Sequence, residues 1–367
     1  MRARSTRASF RPRPIPPHSL AAVKSARAAA LLLAALALAG SARAAREFTD
    51  DAGRKVSLPD RVERVYAAGP PASVLVLALA PDKLIGWTRR FREDESQWVP
   101  RKYAELPELG RLTGRGNTAN VEVVLKEKPD VIVDVGSTRE TYASLADRVQ
   151  SQTGIPYVLL DGHLDTTPSQ LEKLAAVLGV PERGKELSTY AAGILAELRE
   201  KIAAVPMDKR PTIYYARGPQ GLQTGLGGSI NVEAVELLGA KNVAGGERGG
   251  LTNVGLEQVV LWDPQVIVTN DPNFYRDVWK LPVWNPVSAV RAKRVYLSPH
   301  LPFGWFDFPP GANRLVGLIW LSDILYPEVF HHDLRREVAR FYRLFYRQEP
   351  TSAQIDALLS EPGVSPR

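Results

Sequence analysis

Asn120-Val121-Glu122-Val123-Val124-Leu125-Lys126-Glu127-Lys128-Pro129-Asp130-Val131-Ile132-Val133 has a counterpart later in the chain, Asn253-Val254-Gly255-Leu256-Glu257-Gln258-Val259-Val260-Leu261-Trp262-Asp263-Pro264-Gln265-Val266-Ile267-Val268. In each copy a glutamate stands seven residues before a proline, on a stretch with the apolar spacing of a short amphipathic helix. Proline lacks an N–H and cannot continue that helix, and the β-branched run behind it reads as a buried strand. Two copies of one supersecondary unit imply two similar lobes. Two lobes imply a cleft, and a repeated glutamate implies one task performed twice.

Elements on either side of the copies alternate strand and helix. Strands are expected at Arg64–Ala68, near Leu84–Gly86, at Pro156–Leu160, Thr212–Ala216 and Arg294–Leu297. Helices are expected at Ala72–Leu79, Thr141–Thr153, Pro168–Leu178 and Ile230–Leu238, the last with Ser229 as its N-cap. Asn313–Tyr326 and His332–Tyr346 close the pattern. Alternation of this kind argues for α/β lobes with largely parallel sheets. Between the two copies, Leu187, Tyr190, Ile194, Leu198 and Ile202 keep helical spacing until Pro206. That long helix reads as the connector. The expected division is therefore a leader at 1–44, an N-terminal α/β lobe at 45–180, a connecting helix at 181–206, a C-terminal α/β lobe at 207–348 and a C-terminal helix and tail at 349–367.

The chain has 367 residues, 44% apolar and 24% charged, as expected of a globular protein, with a net charge of +7. Eight of its 47 basic residues fall within residues 1–44, which hold no acid. Removing them leaves 39 basic against 40 acidic residues. The remainder is near neutral, so the excess charge is not the footprint of a nucleic-acid binder. The same leader has a basic start, an apolar run from Ala28 to Ala39, and the small-residue pattern Ala42-Arg43-Ala44. These are the parts of a cleavable secretory signal. The absence of cysteine excludes disulfides, iron–sulfur clusters and attachment of lipid at a cysteine. A periplasmic, monomeric protein without a lipid anchor is expected.

Local catalytic motifs are missing: there is no G-x-S-x-G, no H-E-x-x-H and no Walker loop. No enzymatic activity and no cofactor are expected. A direct metal site would have to draw on the scattered His163, Asp165, His300 and Asp307, and none is expected. Gly225-Leu226-Gly227-Gly228 reads either as an anion-holding turn or as a tight strand-to-helix connection. Arginines and aromatics instead gather where expected strands end, at Trp87-Thr88-Arg89-Arg90, at Tyr215-Ala216-Arg217 and at Phe303-Gly304-Trp305-Phe306-Asp307. Ligands of open α/β sheets bind at those ends, and arginine offers paired hydrogen bonds to oxyanions. Arg90, Tyr215, Arg217, Ser229, Trp305 and Phe306 are therefore the candidate ligand-binding residues. Interlobe packing is the other reading of Trp305 and Phe306.

With its signal segment, twin lobes, central helix and one E-x6-P unit per lobe, the chain resembles the helical-backbone substrate-binding proteins of ABC importers, the ferric-siderophore and cobalamin type. The resemblance spans about residues 47–348. It implies two Rossmann-like α/β lobes joined by one long helix, with the ligand in the cleft between them. It implies that Glu122 and Glu257 dock on arginines of a dimeric permease. It also adds Arg111 or Arg115 as ligand contacts, because the family often places an arginine or tryptophan shortly before the first glutamate, and it matches the family's late aromatic to Trp305. The implied function is capture of an iron–siderophore or similar metal chelate. An oxyanion such as molybdate or tungstate, haem or cobalamin would suit the same fold, and a chelate-processing enzyme is a further alternative.

Overall fold

Two separate parallel sheets carry the fold. The first has the order β3-β4-β5, from Val65–Ala67, Val131–Gly136 and Tyr157–Asp161; the second has the order β11-β10-β6-β8, from Val295–Leu297, Val266–Thr269, Thr212–Ala216 and Lys241–Asn242. The computed structural model describes residues 45–114 and 119–365, together with Arg11. The leader expected at 1–44 lies outside the described residues apart from Arg11, and so does Arg115. Arg46–Arg367 form one compact unit.

The central strands are apolar on both faces, as a sheet sandwiched between helices requires. Val131, Ile132 and Val133 are fully buried, as are Val266, Ile267 and Val268. One apolar cluster covers the outer face of the first sheet, around Tyr66, Ile132 and Tyr157, and another covers the outer face of the second, around Tyr214, Ile267 and Trp284. The third and largest cluster runs without a break from Val133 and Leu160 through the central helix to Tyr215, Val268 and Trp305. The two lobes therefore share a core.

The central helix spans Pro181–Ala203, with proline in its first turn where the missing N–H costs nothing. Its buried stripe, Leu187, Tyr190, Ile194, Leu198 and Ile202, is the one its periodicity predicts. The closing helix Arg314–Leu325 is buried all round and is followed by Leu334–Phe341, which passes into a π-helical turn at Tyr342–Tyr346. That turn packs back onto the first-lobe helix Pro70–Leu79, and Arg347 donates to the carbonyls of Ala78 and Leu79. The expected C-terminal lobe thus contributes packing to both halves.

Three local expectations are revised. Leu84 makes only an isolated bridge to Val65, because Trp87 is drawn away to pair with Pro107 and Leu109. The helix expected from Ile230 begins at Glu233 with Val232 as N-cap, since Ser229 and Asn231 close a turn on themselves. Ser229 is therefore not a helix cap. An N-terminal hairpin, β1 (Ala45–Thr49) with β2 (Lys55–Pro59), and a second small pair, β7 (Gln223–Gly225) with β9 (Leu251–Asn253), complete the strands.

Candidate functional site

Beyond the carboxyl end of β6 the backbone turns at Arg217, whose side chain is less than a tenth exposed. Its Nε lies 3.3 Å from Asp307 Oδ2 without the geometry of a hydrogen bond, and its Nη1 donates to Gln223 Oε1 at 2.7 Å. The Phe308 ring covers the guanidinium, 4.6 Å from centroid to Cζ. Asp307 is the hub of the group. It accepts from Tyr215 Oη at 3.1 Å, from Asn231 Nδ2 at 3.0 Å and from its own neighbour's N–H at Phe308. A buried carboxylate with three donors and a cation is well compensated. Burial, with the Asp307 charge beside it, pushes the Tyr215 hydroxyl far above its ordinary pKa, so it acts only as a neutral donor.

Four candidates meet here. The Tyr215 and Phe306 rings pack tilted at 4.4 Å between centroids, Arg217 lies two residues after Tyr215, and Ser229 lies 3.3 Å from Asn231 Oδ1 in the adjoining turn. Trp305 lies beside them but points inward. It has no exposed surface, and its Nε1 donates to Tyr342 Oη. Gly317 explains the depth: a Cβ there would come within 1.8 Å of the Trp305 carbonyl, so the helix Arg314–Leu325 sits directly on that loop. Trp305 and Phe306 thus pack in the interior. Phe308 is the aromatic of this loop that faces solvent, at 58% exposure.

The remaining candidates lie apart. Arg90 is exposed and lines a separate depression of about 710 Å³ with Phe91, Gln97 and Gln348. Arg111 is half-buried, and its carbonyl accepts the Ala119 N–H. Three amides of the glycine-rich turn are already taken. The N–H of Leu226 goes to Gly250, that of Gly227 to Glu247, and that of Gly228 to the Glu236 carboxylate. Among the described residues no group of three or more His, Asp or Glu is arranged to hold a metal. His163 is paired instead with Asp161 and Glu233.

On the first-lobe side, fully buried Asp134 accepts from Thr113 Oγ1 at 2.9 Å, Tyr157 Oη at 3.0 Å and the Val135 N–H. Burial raises its pKa even against those three donors. The chain at Thr113 is pinned close to Gly69, where a Cβ would stand 2.7 Å from Thr113 Oγ1. Sequence reading passed over Asp134 and Asn231 because each is a lone polar residue with partners far along the chain, and over Gln223 because no motif marks its pairing with Arg217 six residues before it.

Glu122 and Glu257 both sit exposed in the first turn of a seven-residue helix, Val121–Glu127 and Leu256–Trp262. Val124 and Val259 are the fully buried anchors of the two helices. Among the described residues neither glutamate has an ion-pair partner.

A model described as periplasmic binding protein matches residues 76–300. The chain belongs to that family. This periplasmic binding protein is 28% identical over 344 residues to the molybdate-binding protein MolA of Haemophilus influenzae, covering 86% of this chain and 96% of MolA. The MolA structure with molybdate bound superimposes with a TM-score of 0.69 at 25% identity, covering 83% of this chain and 99% of that one. An ABC transporter solute binding protein from Sulfurospirillum deleyianum gives a TM-score of 0.78 at 30% identity, over 85% of this chain and 98% of that one. The vitamin B12-binding protein of Yersinia pestis is 29% identical over 66% of this chain and 76% of its own length. The protein is thus a solute-binding component of an ABC transporter, with the two-lobed α/β fold of its relatives. Among the described residues no helix is long and apolar enough to cross a membrane.

Proposed function

We propose that this binding protein captures a small oxyanion of the molybdate type and hands it to an ABC permease. The observation that carries the reading is Arg217. A guanidinium held between Asp307, Gln223 and Phe308 loses little freedom when it binds, and its buried Nε lacks a hydrogen bond. An oxyanion offers such a group the acceptor it needs. A large chelate would call for a broad aromatic wall, yet Trp305 and Phe306 are used inside the core. The likeness to MolA, whose structure holds molybdate, supports the same class.

The siderophore or cobalamin reading keeps one supporting feature, the exposed Phe308 ring over Arg217, which could lie against a flat ligand. Glu122 and Glu257 serve as the two permease contacts, and no bond is made or broken in the ligand. Titration of the purified protein with molybdate, tungstate, sulfate, ferric siderophores and cobalamin, read by calorimetry, tests the assignment. Saturable binding of molybdate or tungstate is expected. Binding of a chelate in their place overturns it.

A further inference from the structure

Arg314 is the most thoroughly buried arginine of the described residues, at 1% exposure, and it faces both lobes. Within the second lobe its Nη1 donates to the Ile230 carbonyl at 2.6 Å and to Glu233 Oε2 at 3.0 Å, and its Nε donates to the Gly311 carbonyl. Its Nη2 crosses to the first lobe and donates to the Gly162 carbonyl, just past β5, at 3.2 Å. Glu233 crosses in the same direction. Its Oε2 accepts the Leu164 N–H at 3.0 Å, and its Oε1 lies 3.5 Å from His163 Nε2. His163 Nδ1 in turn pairs with Asp161 Oδ1. Ile230 lies in the turn that carries Ser229 and Asn231, so the lattice grips the element that positions Asp307.

We propose that Arg314, Glu233 and His163 form a clasp between the lobes, one that presets their separation and so positions the Arg217 site before any ligand arrives. The clasp does not depend on which ligand the cleft takes. Two hydrogen bonds and one ion pair across one seam, beside a shared apolar core, leave little room for hinge opening while they are intact.

The clasp has a charge condition. Arg314 and protonated His163 face two carboxylates, Glu233 and Asp161, and the pairs balance. Asp165, on the turn beside His163, adds a third acid. When His163 loses its proton, Glu233 keeps only Arg314 and the Leu164 amide, and Asp161 faces a neutral ring. Burial draws the imidazole pKa down, but the Asp161 hydrogen bond and the Glu233, Asp161 and Asp165 charges outweigh it, and the net value lies above 6.5. The first-lobe turn at 162–164 is therefore held most firmly on the acid side, and the lobes loosen as pH rises through the histidine's titration.

The chain has no cysteine, so spin labels can be placed at Lys126→Cys in the first lobe and Lys280→Cys in the second, both exposed, in otherwise unaltered full-length protein. Distances between them are read by pulsed electron resonance without ligand, at about pH 5.5 and about pH 8, on either side of the imidazole's range. A narrow distribution in acid that broadens at the higher pH is expected. Glu233→Gln should be broad at both values. His163→Gln, half-exposed and so safe for folding, should lose the pH response. If Glu233→Gln does not fold, the His163→Gln comparison decides alone. A parent distribution that ignores pH, or a His163→Gln variant that keeps the parent's response, overturns the clasp and leaves the ligand assignment untouched.

Discussion

Lys128 and Asp263 occupy the same left-handed backbone position, φ 49° and φ 42°, each ending a short helix one residue before a proline. L-residues pay roughly 1–2 kcal/mol for that conformation. Its occurrence at matched places shows that the sequence repeat is a repeat of backbone path. The glutamate six residues earlier in each unit therefore leaves its helix from an equivalent place.

The proposed docking role can be tested on that equivalence. Glu122→Ala combined with Glu257→Ala should leave ligand affinity unchanged and sharply reduce uptake by cells, because complementary charge sets encounter and orientation more than ligand binding. Either single variant should have a smaller effect. Normal uptake by the double variant removes both glutamates from the permease interface.

Arg217→Ala should weaken molybdate binding by roughly ten- to a hundredfold, the loss of a charge-assisted hydrogen bond worth about 1.5–3 kcal/mol. Asp307→Asn should act in the same direction through Arg217, which it holds 3.3 Å away. Calorimetry provides the measurement, with circular dichroism to show that both variants stay folded. Unchanged affinity in both places the ligand elsewhere.

Trp305 and Phe308 should separate stability from binding. Trp305→Ala opens a cavity under the helix Arg314–Leu325 and should cost about 3–5 kcal/mol of stability in a urea melt. Phe308→Ala, exposed, should cost little stability. A drop in affinity for Phe308→Ala that is confined to flat chelates would revive the siderophore or cobalamin reading.

Stability should fall as pH rises through the near-neutral range. Both His163 and Glu233 have folded-state pKa values above their ordinary 6.5 and 4.5, the latter because burial outweighs Arg314. At these two groups the native state holds more protons than the unfolded chain, so their contribution to stability declines as pH rises. His163 contributes fully below about 6.5 and loses its contribution as pH passes its raised value. Thermal melts of the parent and His163→Gln should converge at alkaline pH. A gap that stays constant across the titration argues against the linkage.

Processing of the leader is a fifth expectation. The basic start, the Ala28–Ala39 run and Ala42-Arg43-Ala44 predict a mature chain beginning near Ala45, recovered from a periplasmic extract. Edman sequencing of that material checks it, and an intact leader in the membrane fraction goes against it.

The repeated E-x6-P unit, the alternation of strand and helix and the stripe along Pro181–Ala203 were legible in the sequence, because they are local patterns written within a few turns of chain. Twin lobes, parallel sheets and a connecting helix follow from them. Arg217 could be picked out by its place after β6. Whether an aromatic faces ligand or core could not be read there, because the composition of Trp305-Phe306-Asp307-Phe308 suits both roles. The helix Arg314–Leu325, pressed onto the loop at Gly317, buries Trp305, and the turn at Asp307 sends Phe308 outward. Apart from the neighbouring Phe308 amide and Gly311 carbonyl, the hydrogen-bond partners of Asp307 and Arg314 likewise lie 76 to 152 residues away along the chain. Such polar networks have no periodicity. They arise only when folding removes water from groups that must then find one another.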